Sequence, residues 1–188
     1  IAQTRTICHI ATDSENFCNT IIIANFSTDN QTYTLTGYDD SGVETGSVNN
    51  EALDGSATRA VDVRALFSTL PSYLVIESDP GIVVSVSYAS TSPRGTTATI
   101  HESSDVSTGW RMYPGNWNTV FDGLAMLNLN DRAVQVSVNQ KSEAGSVLDS
   151  LSFNVGAGGK VKVVLDSSFV SVENSCFEVI ATDSITVM

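Results

Sequence analysis

The chain has 188 residues and carries nine Lys and Arg against 21 Asp and Glu, a formal charge of −12. With no basic stripe to follow a phosphate backbone, nucleic acid is excluded as a partner. Apolar residues make up 41% and charged residues 16%; the rest is rich in Ser, Thr, Asn and Gly, the balance of an all-β protein with short strands and many turns. The longest apolar runs, 21–24 and 161–165, are too short to cross a bilayer, so no membrane span is expected.

The first segment, Ile1-Ala2-Gln3-Thr4-Arg5-Thr6-Ile7, has neither an initiator methionine nor the basic and apolar regions of a signal peptide. It fits a mature chain whose signal peptide has been removed, and equally a segment excised from a longer chain. Being extended and apolar at intervals, it is a candidate donor strand, with Ile1, Arg5 and Ile7 as the residues that would add to a neighbouring sheet edge. Cys8 and Cys18 flank a short polar loop and predict a disulfide across neighbouring strands, contributing roughly 2 to 3 kcal/mol. Cys176 is then the odd cysteine. It opens an apolar strand and reads as a buried thiol, the alternative being a bond to another chain.

The next feature organises the whole chain. Ile21-Ile22-Ile23-Ala24-Asn25 precedes Gly42, and Leu124-Ala125-Met126-Leu127-Asn128 precedes Gly145 at the same spacing, about 103 residues on. The match goes on at an offset of 102, with Val61, Val63 and Phe67 against Val163, Leu165 and Phe169, and then at 104, with Tyr73 to Asp79 against Phe177 to Asp183. In both halves alternation at period two predicts strands with one wet face, as in Gln31-Thr32-Tyr33-Thr34-Leu35 and Val134-Gln135-Val136-Ser137-Val138. Asp39-Asp40-Ser41-Gly42 and Ser142-Glu143-Ala144-Gly145 close a hairpin in each. Single helical turns are expected at 63–67 and just before Phe169.

The expected fold is all-β, with two tandem Ig-like antiparallel β-sandwich domains related by an internal repeat. The first covers 1–92 and the second 109–188. Between them, 93–108 is a linker in which Thr97-Ala98-Thr99-Ile100-His101 predicts one extra strand.

The order of features in the second half is Tyr113-Pro114, a strand ending in Asn, an alternating strand, an acidic-Gly turn, a Gly-rich turn, a helical turn and an apolar strand through Thr182-Asp183. This order resembles the tandem β-sandwich repeats of secreted and cell-surface bacterial proteins, over roughly Arg5 to Tyr88 and Trp110 to Met188. The first half has Ile7-Cys8-His9 where the Tyr-Pro opening would be. The resemblance implies an exported, non-catalytic module.

Reactive chemistry is sparse. His9 and His101 are the chain's two histidines, and neither lies in a nucleophile motif; no Cys-x-x-Cys or His-x-x-x-His spacing offers a zinc site. The expectation is a protein that is not an enzyme, with no cofactor and no metal. The acidic turns Asp13 with Glu15 and Asp39 with Asp40 read as solvated turns in preference to calcium loops. Trp110, Tyr113 and Trp117 form an aromatic stretch that predicts an interface, with a glycan-binding platform as the competing reading. Asn25-Phe26-Ser27 and Asn30-Gln31-Thr32 match the glycosylation sequon. The leading expectation is a secreted structural protein that self-associates, as the subunit of an extracellular filament or surface layer. A carbohydrate-binding or adhesive module is the alternative.

Overall fold

The computed structural model describes residues 4–11, 17–90, 97–101, 105–114, 123–172 and 174–188. The chain divides into two compact units, Ile1–Ser104 and Asp105–Met188. Both are all-β with antiparallel sheets, as the period-two patterning predicts.

The first unit contains β1 (Thr4–His9), β2 (Phe17–Asn25), β3 (Gln31–Tyr38), β4 (Glu44–Leu53), β5 (Thr58–Asp62), the single turn α1 (Val63–Leu66), β6 (Tyr73–Ser78), β7 (Ile82–Ser90) and β8 (Thr97–His101). They form two four-stranded sheets, β1-β6-β3-β4 and β5-β2-β7-β8. Alternation turns Ile21 and Ile23 of β2 inward with Val84 and Val86 of β7, to meet Leu35, Leu74 and Ile76 from the other sheet in one core. Each such side chain contributes roughly 1.5 to 3 kcal/mol by leaving water. The strand expected within the linker is β8. It pairs with β7, Ile100 beside Val86, and so completes the first unit's second sheet.

The second unit contains β9 (Ser107–Met112), β10 (Gly123–Leu127), β11 (Val134–Lys141), β12 (Val147–Val155), β13 (Lys160–Val164), the turn α2 (Leu165–Ser168) and β14 (Cys176–Val187). Its order is β12-β11-β14-β10-β13, with β9 also on β14. Met126, Val136, Val138, Phe177 and Val179 fill its core, where Phe169 meets Phe177 edge-on at 5.0 Å. The twelve-residue β14 pairs first with β11 and β9 and then, at Thr186 and Val187, with β10. In the first unit the corresponding run is broken between β6 and β7 by Asp79-Pro80-Gly81, where Pro80 has no N–H for a ladder and Gly81 sits at φ +99°.

Leu35 lies between Val48 and Ile76, and Val138 between Leu151 and Val179, so one offset of 103 relates all three pairs. Leu74 pairs with Gly37 and Phe177 with Gln140, again 103 residues apart. The change to 102 occurs inside β4, which bulges opposite Thr34 around Asn49-Asn50, with Asn50 at φ 53°. Beyond the bulge, Leu53 pairs with Gln31 as Val155 pairs with Val134.

The predicted disulfide is not formed, and no bond joins Cys8 to Cys18. Their strands are not neighbours, since β1 pairs with β6 while β2 pairs with β5 and β7. Cys8 is buried in the core, whereas Cys18 alternates with the inward Asn19 and Ile21 and so faces the other side of its sheet.

Candidate functional site

Two buried asparagines, Asn25 at the end of β2 and Asn128 just past β10, spend their hydrogen bonds mostly on backbone, Asn128 also accepting from the Asn130 side-chain amide at 2.7 Å. The Asn25 amide nitrogen donates to the carbonyls of Asp29 (2.9 Å), Leu53 (3.1 Å) and Asp54 (3.1 Å), while its oxygen accepts from the Ser27 N–H at 2.9 Å. Asn128 donates to the carbonyls of Arg132 (2.8 Å), Val155 (3.0 Å) and Gly156 (2.9 Å) and accepts from the Asn130 N–H at 3.0 Å. Each plug ties a strand end to two turns that would otherwise leave buried carbonyls unpaired. The sequon at Asn25 is therefore no glycan acceptor in the folded chain, because its nitrogen is buried and engaged. Sequence reading had the signal, an Asn closing the repeated segment, but not its use.

The outer edges of β4 and β12 differ. Arg59 of β5 reaches across to β4, donating to Glu51 at 2.9 Å, to the Tyr33 hydroxyl at 2.9 Å and to the Ala52 carbonyl at 3.3 Å. Glu51 holds the guanidinium's pKa above its ordinary value. This latch and the bulge interrupt the β4 edge. In the second unit the ladder positions of Tyr33, Glu51 and Arg59 hold Val136, Phe153 and Val161. From Asp149 to Val155, β12 pairs one to one with β11, and it ends the sheet with no further strand beside it among the described residues. Its inward Leu151 and Phe153 are only partly buried against the core, and Ser150, Ser152 and Asn154 face solvent.

Near the β11–β12 turn a cleft of about 180 Å³ is lined by Arg111, Tyr113, Lys141, Asn174 and Cys176 among others. Glu178 lies opposite Arg111 in the ladder and bridges it at 2.9 Å to Lys141 at 2.5 Å. The two cations, Lys141 first, hold its carboxyl below the usual carboxylate range. Around this end Tyr113, Val147, Leu148, Val170 and Val172 are exposed.

The expected site residues scatter. Arg5 and Ile7 belong to β1, paired with Glu77 and Val75, and Ile7 is 2% exposed; a strand already built into its own sheet is not available for donation. Ile1, Trp117, Asp13 and Glu15 lie outside the described residues. Trp110 turns inward on β9 against the second core, its Nε1 buried without an acceptor among the described residues, so it makes no platform with Tyr113, which is 77% exposed. Cys176 is partly buried at the start of β14 and lines the cleft. His9 gives its carbonyl to the Tyr88 hydroxyl. Asp39 spends its carboxylate on Ser41 and on the Val43 N–H, capping its own turn. Comparison with family models, with curated proteins and with solved structures finds no match to this chain.

Proposed function

We propose that the chain is a non-catalytic structural protein made of two tandem copies of one Ig-like sandwich, exported, and acting through association with copies of itself in an extracellular filament or surface layer. The two-copy reading is supported by the asparagine plugs, each of which makes four bonds to backbone atoms at matching positions of the two halves. It is supported again at the sheet corner. There the Asp79 carboxylate accepts from the Thr32 N–H at 2.8 Å, and the Thr182 hydroxyl accepts from the Gln135 N–H at 3.1 Å, both at the offset of 103. Export rests on composition and on the family resemblance.

The observation that carries self-association is the unequal finish of the edge strands. Natural sheets blunt their edges with charge, bulges or covering side chains, because an open edge recruits another strand. The first unit does this in the middle of β4; β12 has a single register shift at its start, beside exposed Val147 and Leu148, and runs as a regular edge from Asp149 to Val155. Sedimentation velocity and electron microscopy across a range of protein concentration test the proposal. Concentration-dependent assembly is expected, and a chain that stays monomeric throughout would end it. Among the described residues a glycan reading keeps Tyr113 and the polar cleft beside it, with Trp110 half-buried against the core.

A further inference from the structure

The edge that suggests association also specifies its geometry, and this inference rests on the self-association reading above. We propose that two copies of the chain join through β12 itself, antiparallel about Ser152, so that the two β12-bearing sheets become one continuous sheet.

The register follows from the strand's own sequence. An antiparallel pair centred on Ser152 sets Ser152 against its image, Leu151 against Phe153, Ser150 against Asn154 and Asp149 against Val155. Leu151 then meets Phe153 on the inward face, and the outward Ser150, Ser152 and Asn154 meet one another, as a pleat of period two requires. All seven residues that pair in register with β11 are used. The one charge among them, Asp149, meets an apolar residue and not its own copy, although each chain carries a formal charge of −12. The two half-buried core residues, Leu151 and Phe153, cover one another across the join, completing a core margin that is open in the single chain.

Every other edge strand but β8, whose Thr97–His101 carries no Lys or Arg, holds a device that resists such pairing. Arg5 stands on β1, Arg111 on β9, Arg59 on β5, and Lys160 and Lys162 on β13. On β4 the bulge at Asn49-Asn50 lies opposite Thr34, the ladder position that Ser137 holds in the second unit, and Ser137 pairs with Ser152. The first unit is therefore interrupted at the point where the second would centre its join. A two-fold pair of this kind is isologous and closes on itself, so β12 supplies the dimeric unit of any larger assembly.

The test uses the full chain and sedimentation velocity. Ser152→Lys sets two ammonium groups face to face at the axis and is expected to weaken dimerisation about tenfold or more, while Ser152→Asp does the same with carboxylates. Mixing the two variants is expected to restore dimers, because Lys then meets Asp. Ser137→Lys adds the same charge to the same outer face one strand inward, on the already paired β11, and is expected to leave dimerisation within about twofold of wild type. Circular dichroism checks that each variant is folded. If wild type dimerises and Ser152→Lys dimerises equally well, or the mixture fails to recover, the β12 join is wrong while self-association stands. If wild type is monomeric at every concentration, both fall.

Discussion

In the first unit, β4 is broken by a bulge opposite Thr34 and held by Arg59, which bonds Glu51, Tyr33 and the Ala52 carbonyl; in the second, β12 runs in register from Asp149 to Val155, with Val161 and Phe153 in the places of Arg59 and Glu51. Both strands end their sheets. What differs is the treatment of the backbone groups left over. On the proposed reading, one added residue and one arginine separate an edge closed to a partner from an edge open to one. Stability is then assigned to residues the halves share and association to residues they do not.

The largest effects should come from the shared framework. Asn25→Ala and Asn128→Ala each strand several buried backbone groups, at a cost of about 3 kcal/mol or more. Both tryptophans of the chain, Trp110 and Trp117, lie in the second unit. Tryptophan fluorescence during urea unfolding therefore follows that unit alone, while far-UV circular dichroism follows both. Asn128→Ala is expected to move the fluorescence midpoint, and Asn25→Ala to move only the dichroism. Similar costs sharpen the likeness of the units; a cost confined to one breaks it.

A smaller effect separates the turns. A Cβ on Gly55 would stand 2.0 Å from the Thr28 carbonyl oxygen, so Gly55→Ala must push backbone apart, for about 1 to 3 kcal/mol. The corresponding position on the Gly-rich turn of the second unit holds Ala157, and Ala157→Gly is expected to cost well under about 1 kcal/mol. Dichroism-monitored urea midpoints for the two variants measure the difference.

Smaller still in stability is the latch. Its ion pair is about 40% exposed on each side, so Arg59→Val should cost no more than about 1 kcal/mol. Its consequence for association is larger. The variant gives β5 the residue that β13 carries, and chains with Ser152→Lys already in place should regain some self-association by sedimentation if the β4 edge has been opened.

The weakest expected effect concerns acid. The Thr32 N–H, then its hydroxyl, hold the Asp79 carboxyl below the ordinary value of 3.8. A carboxylate whose folded pKa is depressed stabilises above the unfolded value, and that contribution is lost as pH falls through the folded one. Below about pH 4 the first unit should therefore lose stability through this corner, and Asp79→Asn should flatten the slope. The second unit uses the hydroxyl of Thr182 for the same N–H and has no such titration there. Dichroism melts over an acid pH series, wild type beside variant, provide the check.

Much of this architecture was legible in the chain. Alternation in Val134-Gln135-Val136-Ser137-Val138 and the Gly42 and Gly145 turns predict strands and hairpins that the structure contains, because period two and positive φ (84° and 82°) are local requirements. The helical turns at Val63–Leu66 and Leu165–Ser168 and the strand Thr97–His101 were readable for the same reason. What escaped depends on strands meeting across space. Cys8 and Cys18 are near in sequence but belong to different sheets. The sequence alone does not tell which of Tyr73 and Leu74 faces the core; the ladder places Leu74 there and turns Tyr73 the other way. Burial there pushes the Tyr73 hydroxyl's pKa up to about 12. The latch joins Tyr33, Glu51 and Arg59 only after β3, β4 and β5 have paired, and so has no sequence signature of its own.

Hydrogen–deuterium exchange of the full chain at low and high protein concentration tests most directly whether one edge is closed and the other open. Amides of 149–155 on β12 should gain protection as concentration rises, with those of β4 unchanged. Protection rising on β4, or on neither strand while the chain assembles, would contradict it.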